Sequence, residues 1–135
     1  MAERIDKTNA GIIALLKGNA RMAWRDIGER LGISGQAVSS RVQTLEHLGI
    51  ISGYTISQDR LNRSFVTVFM NDSRFTTFEK FAAAEPDVEA AYKVSGEGCY
   101  LLVVASDRQE ALPAFLDRLS QFARYRVLSA MRKVK

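Results

Sequence analysis

Between two stretches of helical apolar spacing the chain places Leu31-Gly32-Ile33-Ser34, and no other feature limits its fold as much. Gly32 stands where a helix can end in a left-handed residue, and Ser34 where the next helix takes its N-cap. Upstream, a short helix is predicted from about Trp24 to Leu31, burying Ile27 and Leu31. Downstream, Val38, Val42, Leu45 and Leu48 mark one face of a longer helix stopped by Gly49. Ahead of both, Asp6 is placed to cap a helix in which Ile12, Ile13 and Leu16 recur at helical spacing as far as Gly18. Two helices joined by a tight turn, with a third beside them, have the layout of a helix-turn-helix. Ile50, Ile51, Gly53, Tyr54 and Ile56 then form a β-rich run suited to a wing or to a strand leaving the domain. The expected division is a winged helix-turn-helix domain over residues 1–53 and a connecting strand and linker over 54–63.

The third helix carries the chemistry of this region. At about 100° per residue, Val38, Val42 and Leu45 fall on one side, and Gln36, Ser40, Gln43 and His47 on the other. Ala37, Ser39 and Thr44 flank that outer face, and Arg41 lies at the border of the apolar stripe. The face is polar yet nearly uncharged, whereas an ordinary solvated helix alternates Glu and Lys. Short hydroxyls and amides suit the edges of bases: Gln can both donate to and accept from adenine, and Arg can bond guanine or a phosphate. Ser34, Gln36, Ala37, Ser39, Ser40, Arg41, Gln43 and Thr44 are therefore the candidate contacts to double-stranded DNA. The competing reading is a surface helix that happens to be rich in Ser and Gln.

Charge neither demands nor forbids such a partner. The net charge is +4, with eight basic against six acidic residues in positions 1–60 and the remaining excess spread over the rest. The longest apolar runs, Gly11–Leu16 and Leu101–Ala105, are far below the roughly 18 residues of a membrane span, and Met1 to Asp6 mix both signs of charge unlike a secretory leader. With a single cysteine, Cys99, no intrachain disulfide can form, and a cytoplasmic protein with no membrane partner is expected.

From Phe65 onward the pattern becomes strand, helix, strand, strand, helix, strand. Phe65–Met70 reads as β; Thr76 with Glu79 reads as a capping box opening a helix through Phe78, Phe81 and Ala82 that Pro86 ends. Val88–Val94 is the second strand, Gly96-Glu97-Gly98 a turn, and Tyr100–Ala105 the third strand. Asp107 with Glu110 could cap a helix carrying Leu112, Phe115, Leu116, Leu119 and Phe122, which Pro113 would delay or kink, and Arg126–Val134 closes the set. The order βαββαβ is ferredoxin-like, with the first and third strands central, so the fold class expected is α+β with this domain over residues 64–135. Phe65–Met70 and Tyr100–Ala105 are apolar on both faces, and two helices can cover only one. A second copy is the simplest cover for the other face, so the domain is read as a dimerisation domain.

Arg41-Val42-Gln43-Thr44-Leu45-Glu46-His47-Leu48-Gly49-Ile50-Ile51-Ser52-Gly53-Tyr54, with Ile5-Asp6 and Asp26-Ile27-Gly28-Glu29-Arg30 ahead of it, resembles the Lrp/AsnC or feast/famine family of transcription regulators. The resemblance continues over nearly the whole chain and implies a DNA-binding domain followed by an effector-binding and oligomerisation domain, commonly assembled as octamers of paired sheets. It also implies that the glycine-centred stretch Tyr92–Leu102 lies near an amino-acid effector site, with Gly96, Glu97, Gly98, Cys99 and Tyr100 as candidates. Gly96 and Gly98 read equally well as residues that merely shape a hairpin. Three positions depart from the family. Ala23 stands where Ser or Thr often caps the second helix, Cys99 where many amino-acid-responsive members carry Asp, and Val127–Met131 replace a threonine-rich strand.

Other classes find little support. His47 is the only histidine, Cys99 has no paired cysteine, and no phosphate-cradling glycine motif is present. No catalytic residue, metal ligand or cofactor is expected. An architectural protein that bends or wraps DNA with little sequence preference would use the same two domains, and a ferredoxin-like protein serving only small-molecule binding would use the second.

Overall fold

The computed structural model describes residues 5–135; Met1 to Arg4, read above for their mixed charge, lie outside it. The chain divides into two compact units, one running through Ser57 and the other beginning at Gln58. The first holds α1 (Lys7–Gly18), α2 (Trp24–Leu31) and α3 (Gly35–His47). Local chemistry sets their ends. Asp6 Oδ1 accepts the Asn9 N–H at 2.7 Å and Ser34 Oγ accepts the Ala37 N–H at 3.0 Å, capping α1 and α3 as expected. Ala23 has no side-chain oxygen to offer, and α2 starts without a side-chain cap. Gly32, in the left-handed region at φ 74°, ends α2.

The turn between α2 and α3 is tight because Gly28 has no side chain. A Cβ there would lie 2.4 Å from the Ile33 carbonyl oxygen, so any other residue would push α3 away. Ile12, Leu16, Ile27, Val38 and Val42 form the core beneath the turn, with Leu31 and Ile51 packed against it. Leu48, expected on the buried face, is the C-cap of α3 and half exposed, since the helix stops before that turn is complete. The wing or strand expected from Ile50 to Ile56 is not formed. Among the described residues that run has no neighbouring strand to pair with; the Ile51 N–H donates to the Leu45 carbonyl at 3.1 Å, and the Tyr54 hydroxyl donates to Glu46 Oε1 at 2.8 Å.

The second unit contains β1 (Asn62–Met70), α4 (Phe75–Ala84), β2 (Val88–Lys93), β3 (Tyr100–Ser106), α5 (Ala111–Leu119) and β4 (Ala123–Ser129). Its sheet is antiparallel in the order β2-β3-β1-β4, so β1 and β3 are central as the pattern predicted. Both expected capping boxes fail. The helix α4 begins at Phe75, ahead of Thr76, after Asp72 Oδ1 has accepted the Arg74 N–H at 3.0 Å. Near α5, the backbone N–H of Arg108 goes to Ser106 Oγ at 3.1 Å, and the helix starts at Ala111. Pro113 then falls in the first turn, where its ring breaks no helical hydrogen bond. The last strand begins at Ala123 rather than Arg126 and ends at Ser129.

Along β1 and β3 the even-numbered residues face the helices: Val66, Val68, Tyr100, Leu102 and Val104 are buried against Phe78, Phe115 and Leu119. The odd-numbered residues Phe65, Thr67, Phe69, Leu101 and Val103 occupy the opposite face. Through the strand register, Tyr92 and Leu128 join that face beside Leu101 and Phe65; they are 58% and 71% exposed.

Candidate nucleic-acid interface

The outer face of α3 keeps Gln36, Ser40 and Gln43, and His47 at its end, exposed and without a side-chain hydrogen-bond partner among the described residues. The other predicted contacts are partly committed. Ser34 Oγ accepts the capping N–H, Thr44 donates its hydroxyl to the Ser40 carbonyl at 3.2 Å, and Ala37 and Ser39 are half-buried.

Arg41 has an intradomain contact that the sequence did not show. Its Nη1 donates to Asp6 Oδ2 at 2.9 Å and to Asn9 Oδ1 at 3.1 Å, tying α3 to the first turn of α1. The backbone N–H of Asn9, then the Arg41 guanidinium, hold the Asp6 carboxyl below the usual carboxylate range. Arg41, expected from the sequence to bond guanine or a phosphate, thus has one of its nitrogens engaged within the domain, and its side chain stays 38% exposed.

Arg25 is a residue that sequence reasoning missed. A Cβ on Gly35 would lie 3.1 Å from the Arg25 backbone nitrogen, so the start of α2 sits against the start of α3. The Arg25 side chain is 85% exposed, with Glu29 at 3.6 Å as a weak partner. In a helix-turn-helix the first helix of the pair crosses the phosphate backbone, which gives an arginine in its opening turn a direct use. A charge in that turn was the available signal.

The glycine turn of the second unit forms a different candidate site. Gly96 and Gly98 have φ values of 105° and 84°. Gly98 is confined as well: a Cβ there would meet Thr67 Cγ2 at 2.6 Å. The Cys99 N–H donates to the Val68 carbonyl at 2.7 Å, pinning the turn to β1, and Cys99 is half-buried against the core. Glu97 is exposed and paired with Arg126, whose guanidinium also lies 5.5 Å from the centre of the Phe69 ring. Tyr100 belongs to the core. Its ring lies 4.7 Å from that of Phe78, tilted by 44°, and it donates its hydroxyl to Glu79 Oε2 at 2.8 Å; burial, reinforced by that carboxylate, pushes its pKa up to about 12.

Comparison with known proteins covers both units. Residues 5–46 match the AsnC-type helix-turn-helix domain and residues 63–135 the Lrp/AsnC ligand binding domain. The chain is 36% identical to the HTH-type transcriptional regulator LrpB of Bacillus subtilis (strain 168), over 98% of this chain and 92% of that protein. Its fold matches the structure of B. subtilis LrpC with a TM-score of 0.87 at 25% identity, covering 98% of this chain and 99% of the other. A feast or famine regulatory protein from M. tuberculosis, solved in complex with L-methionine, gives a TM-score of 0.80 at 26% identity over 98% and 95% of the two chains.

Proposed function

The chain belongs to the Lrp/AsnC family of DNA-binding transcriptional regulators, and from that membership we propose that it lays α3 in the major groove and pairs with a second copy through the open face of its sheet. The observation that carries the first part is the trio Gln36, Ser40 and Gln43, exposed and unpartnered on a face free of long charged side chains. Amide groups at those positions can exchange two hydrogen bonds with an adenine edge. Arg25 takes a phosphate, and the Ser34 hydroxyl keeps its proton to donate to another. Arg41 contributes by fixing the angle of α3 on α1.

The pairing rests on the odd-numbered face of β1 and β3. Phe65, Leu101 and Val103, with Tyr92 and Leu128 beside them, form an apolar surface that a two-fold axis can set against itself. Such a dimer presents two copies of α3 to two half-sites. We infer further assembly to an octamer, as the family resemblance implies, and work in the cytoplasm.

The M. tuberculosis relative holds L-methionine, and a small-molecule effector is proposed here too. A free amino acid fits the 96–100 turn poorly. Its ammonium needs a carboxylate partner, Cys99 is neutral, and Glu97 is already paired with Arg126.

The experiment that tests the DNA-reading face uses fragments selected by the protein from random sequence, with affinity measured at fixed salt against unselected DNA. Gln36→Ala and Gln43→Ala should each cost about 1–3 kcal/mol on the selected site and much less on unselected DNA. Arg25→Ala should weaken both about equally. Full selectivity in a folded Gln36→Ala, Gln43→Ala double variant would overturn the assignment.

A further inference from the structure

At the end of the sheet away from the glycine turn, a pocket of about 320 Å³ opens between β1, β3 and the N-terminus of α5. That volume is at the lower end of the range for small-molecule sites, roughly 300–1,000 Å³. Ser64 and Ser106 lie in its wall at 6% and 8% exposure, the buried polar residues of the described chain. Ser106 Oγ accepts the Arg108 N–H, which leaves its own proton to give. The Ser64 hydroxyl makes no side-chain hydrogen bond among the described residues, and since no sealed side-chain oxygen there lacks a partner, its oxygen opens to the pocket and is free to donate to an occupant. Beside the two serines, α5 begins without a side-chain cap; the Ala111 N–H donates to the Arg108 carbonyl at 3.3 Å and Pro113 has no N–H, which leaves the Leu112 N–H at the pocket wall without an acceptor among the described residues.

Among the described residues, Arg63 and Arg108 are the charged ones in the wall, and no carboxylate lines it. Each arginine has a partner outside the wall, Arg63 with Glu89 at 2.8 Å and Arg108 with Asp87 at 3.4 Å. These pairs leave Arg108 with N–H groups to spare. Val104 and Leu112 supply an apolar side. Donors, a helix N-terminus and cationic charge suit an anion; the lack of a lining carboxylate leaves an ammonium without a counter-charge.

We propose that this pocket binds a small carboxylic acid that lacks an α-ammonium group, its carboxylate on the Ser64 and Ser106 hydroxyls and the start of α5, its apolar tail on Leu112 and Val104. The site is distinct from the 96–100 turn and from the DNA-reading face. Isothermal titration of the full chain with 2-oxoisovalerate, L-valine and inorganic phosphate tests it, since the first two share a tail and a carboxylate and differ in the ammonium. Saturable binding of the oxo acid is expected, with valine and phosphate at least tenfold weaker. Ser64→Ala should weaken oxo-acid binding about tenfold or more without lowering the unliganded melting temperature, and Arg108→Gln should weaken it by about the same factor. Absence of oxo-acid binding, valine or phosphate binding as tightly, or affinity unmoved by both substitutions would each overturn the proposal. Neither residue lies on α3, so selective DNA binding by the same variants keeps this result separate from the fate of the DNA-reading assignment.

Discussion

The two units expose opposite kinds of surface on a finished core. In the helical unit, Val38, Val42 and Leu45 are buried on one side of α3, and what remains outside is polar, mostly amide and hydroxyl with Glu46 and His47 at its end. In the sheet unit, β1 and β3 bury Val66, Val68, Leu102 and Val104 and present a second apolar row, Phe65, Leu101 and Val103, on the other side. Water satisfies the first surface at no cost, so it can wait for a transient polar partner such as DNA. The second surface loses free energy for as long as water touches it, about 25 cal/mol for each Å² of apolar area, and calls for a permanent partner. On the proposed reading, the character of each exposed face separates a ligand that comes and goes from a copy that stays.

Reversing the two faces of β1 should produce the largest effects. Val66→Glu places a charge in the closed core with no partner and should cost about 4 kcal/mol or more, leaving that unit unfolded by circular dichroism and denaturant titration. Phe65→Glu, one residue away on the open face, should leave a folded protein that light scattering finds monomeric at micromolar concentration. Dissociation by Val66→Glu with the fold intact, or a stable dimer carrying Phe65→Glu, would break the comparison.

A smaller effect is expected at the turn of the helical unit. Gly28→Ala forces a Cβ toward the Ile33 carbonyl and should cost about 1–3 kcal/mol of stability. Because the shift falls between α2 and α3, DNA affinity should drop about tenfold while the dimer measured by light scattering stays unchanged. Loss of the dimer instead would mean that the two surfaces are not independent.

The smallest expected effect is none at all. A ligand present at 100 times its dissociation constant stabilises its binding state by about 2.7 kcal/mol, a melting shift of several degrees for a chain of this size. Thermal melts with each common amino acid at millimolar concentration should show no such shift, given the pairing of Glu97 with Arg126. A clear shift from one of them, lost on Glu97→Gln, would sharpen the comparison by giving the sheet unit a transient partner as well.

What the sequence by itself determined was local. Asp6 and Ser34 as caps, Gly32 as a stop, the spans of α1 and α2, and the order of helices and strands follow from neighbours within a turn or two and from side-chain period, which few folds can override. Only the tertiary structure decided the rest, because those features depend on residues far apart in the chain. A strand apolar at every position has no period to say which parity faces the helices, and the packing of Phe78 and Phe115 on Val66 chose the even one. That Arg41 also ties α3 to α1 became visible only when the fold brought Asp6, 35 residues earlier, within 2.9 Å of it. The capping boxes at Thr76 and Asp107 were legible but unused, since each helix start follows its docking on the sheet, and Ser64 became part of a pocket only when β1 met β3 beside the start of α5.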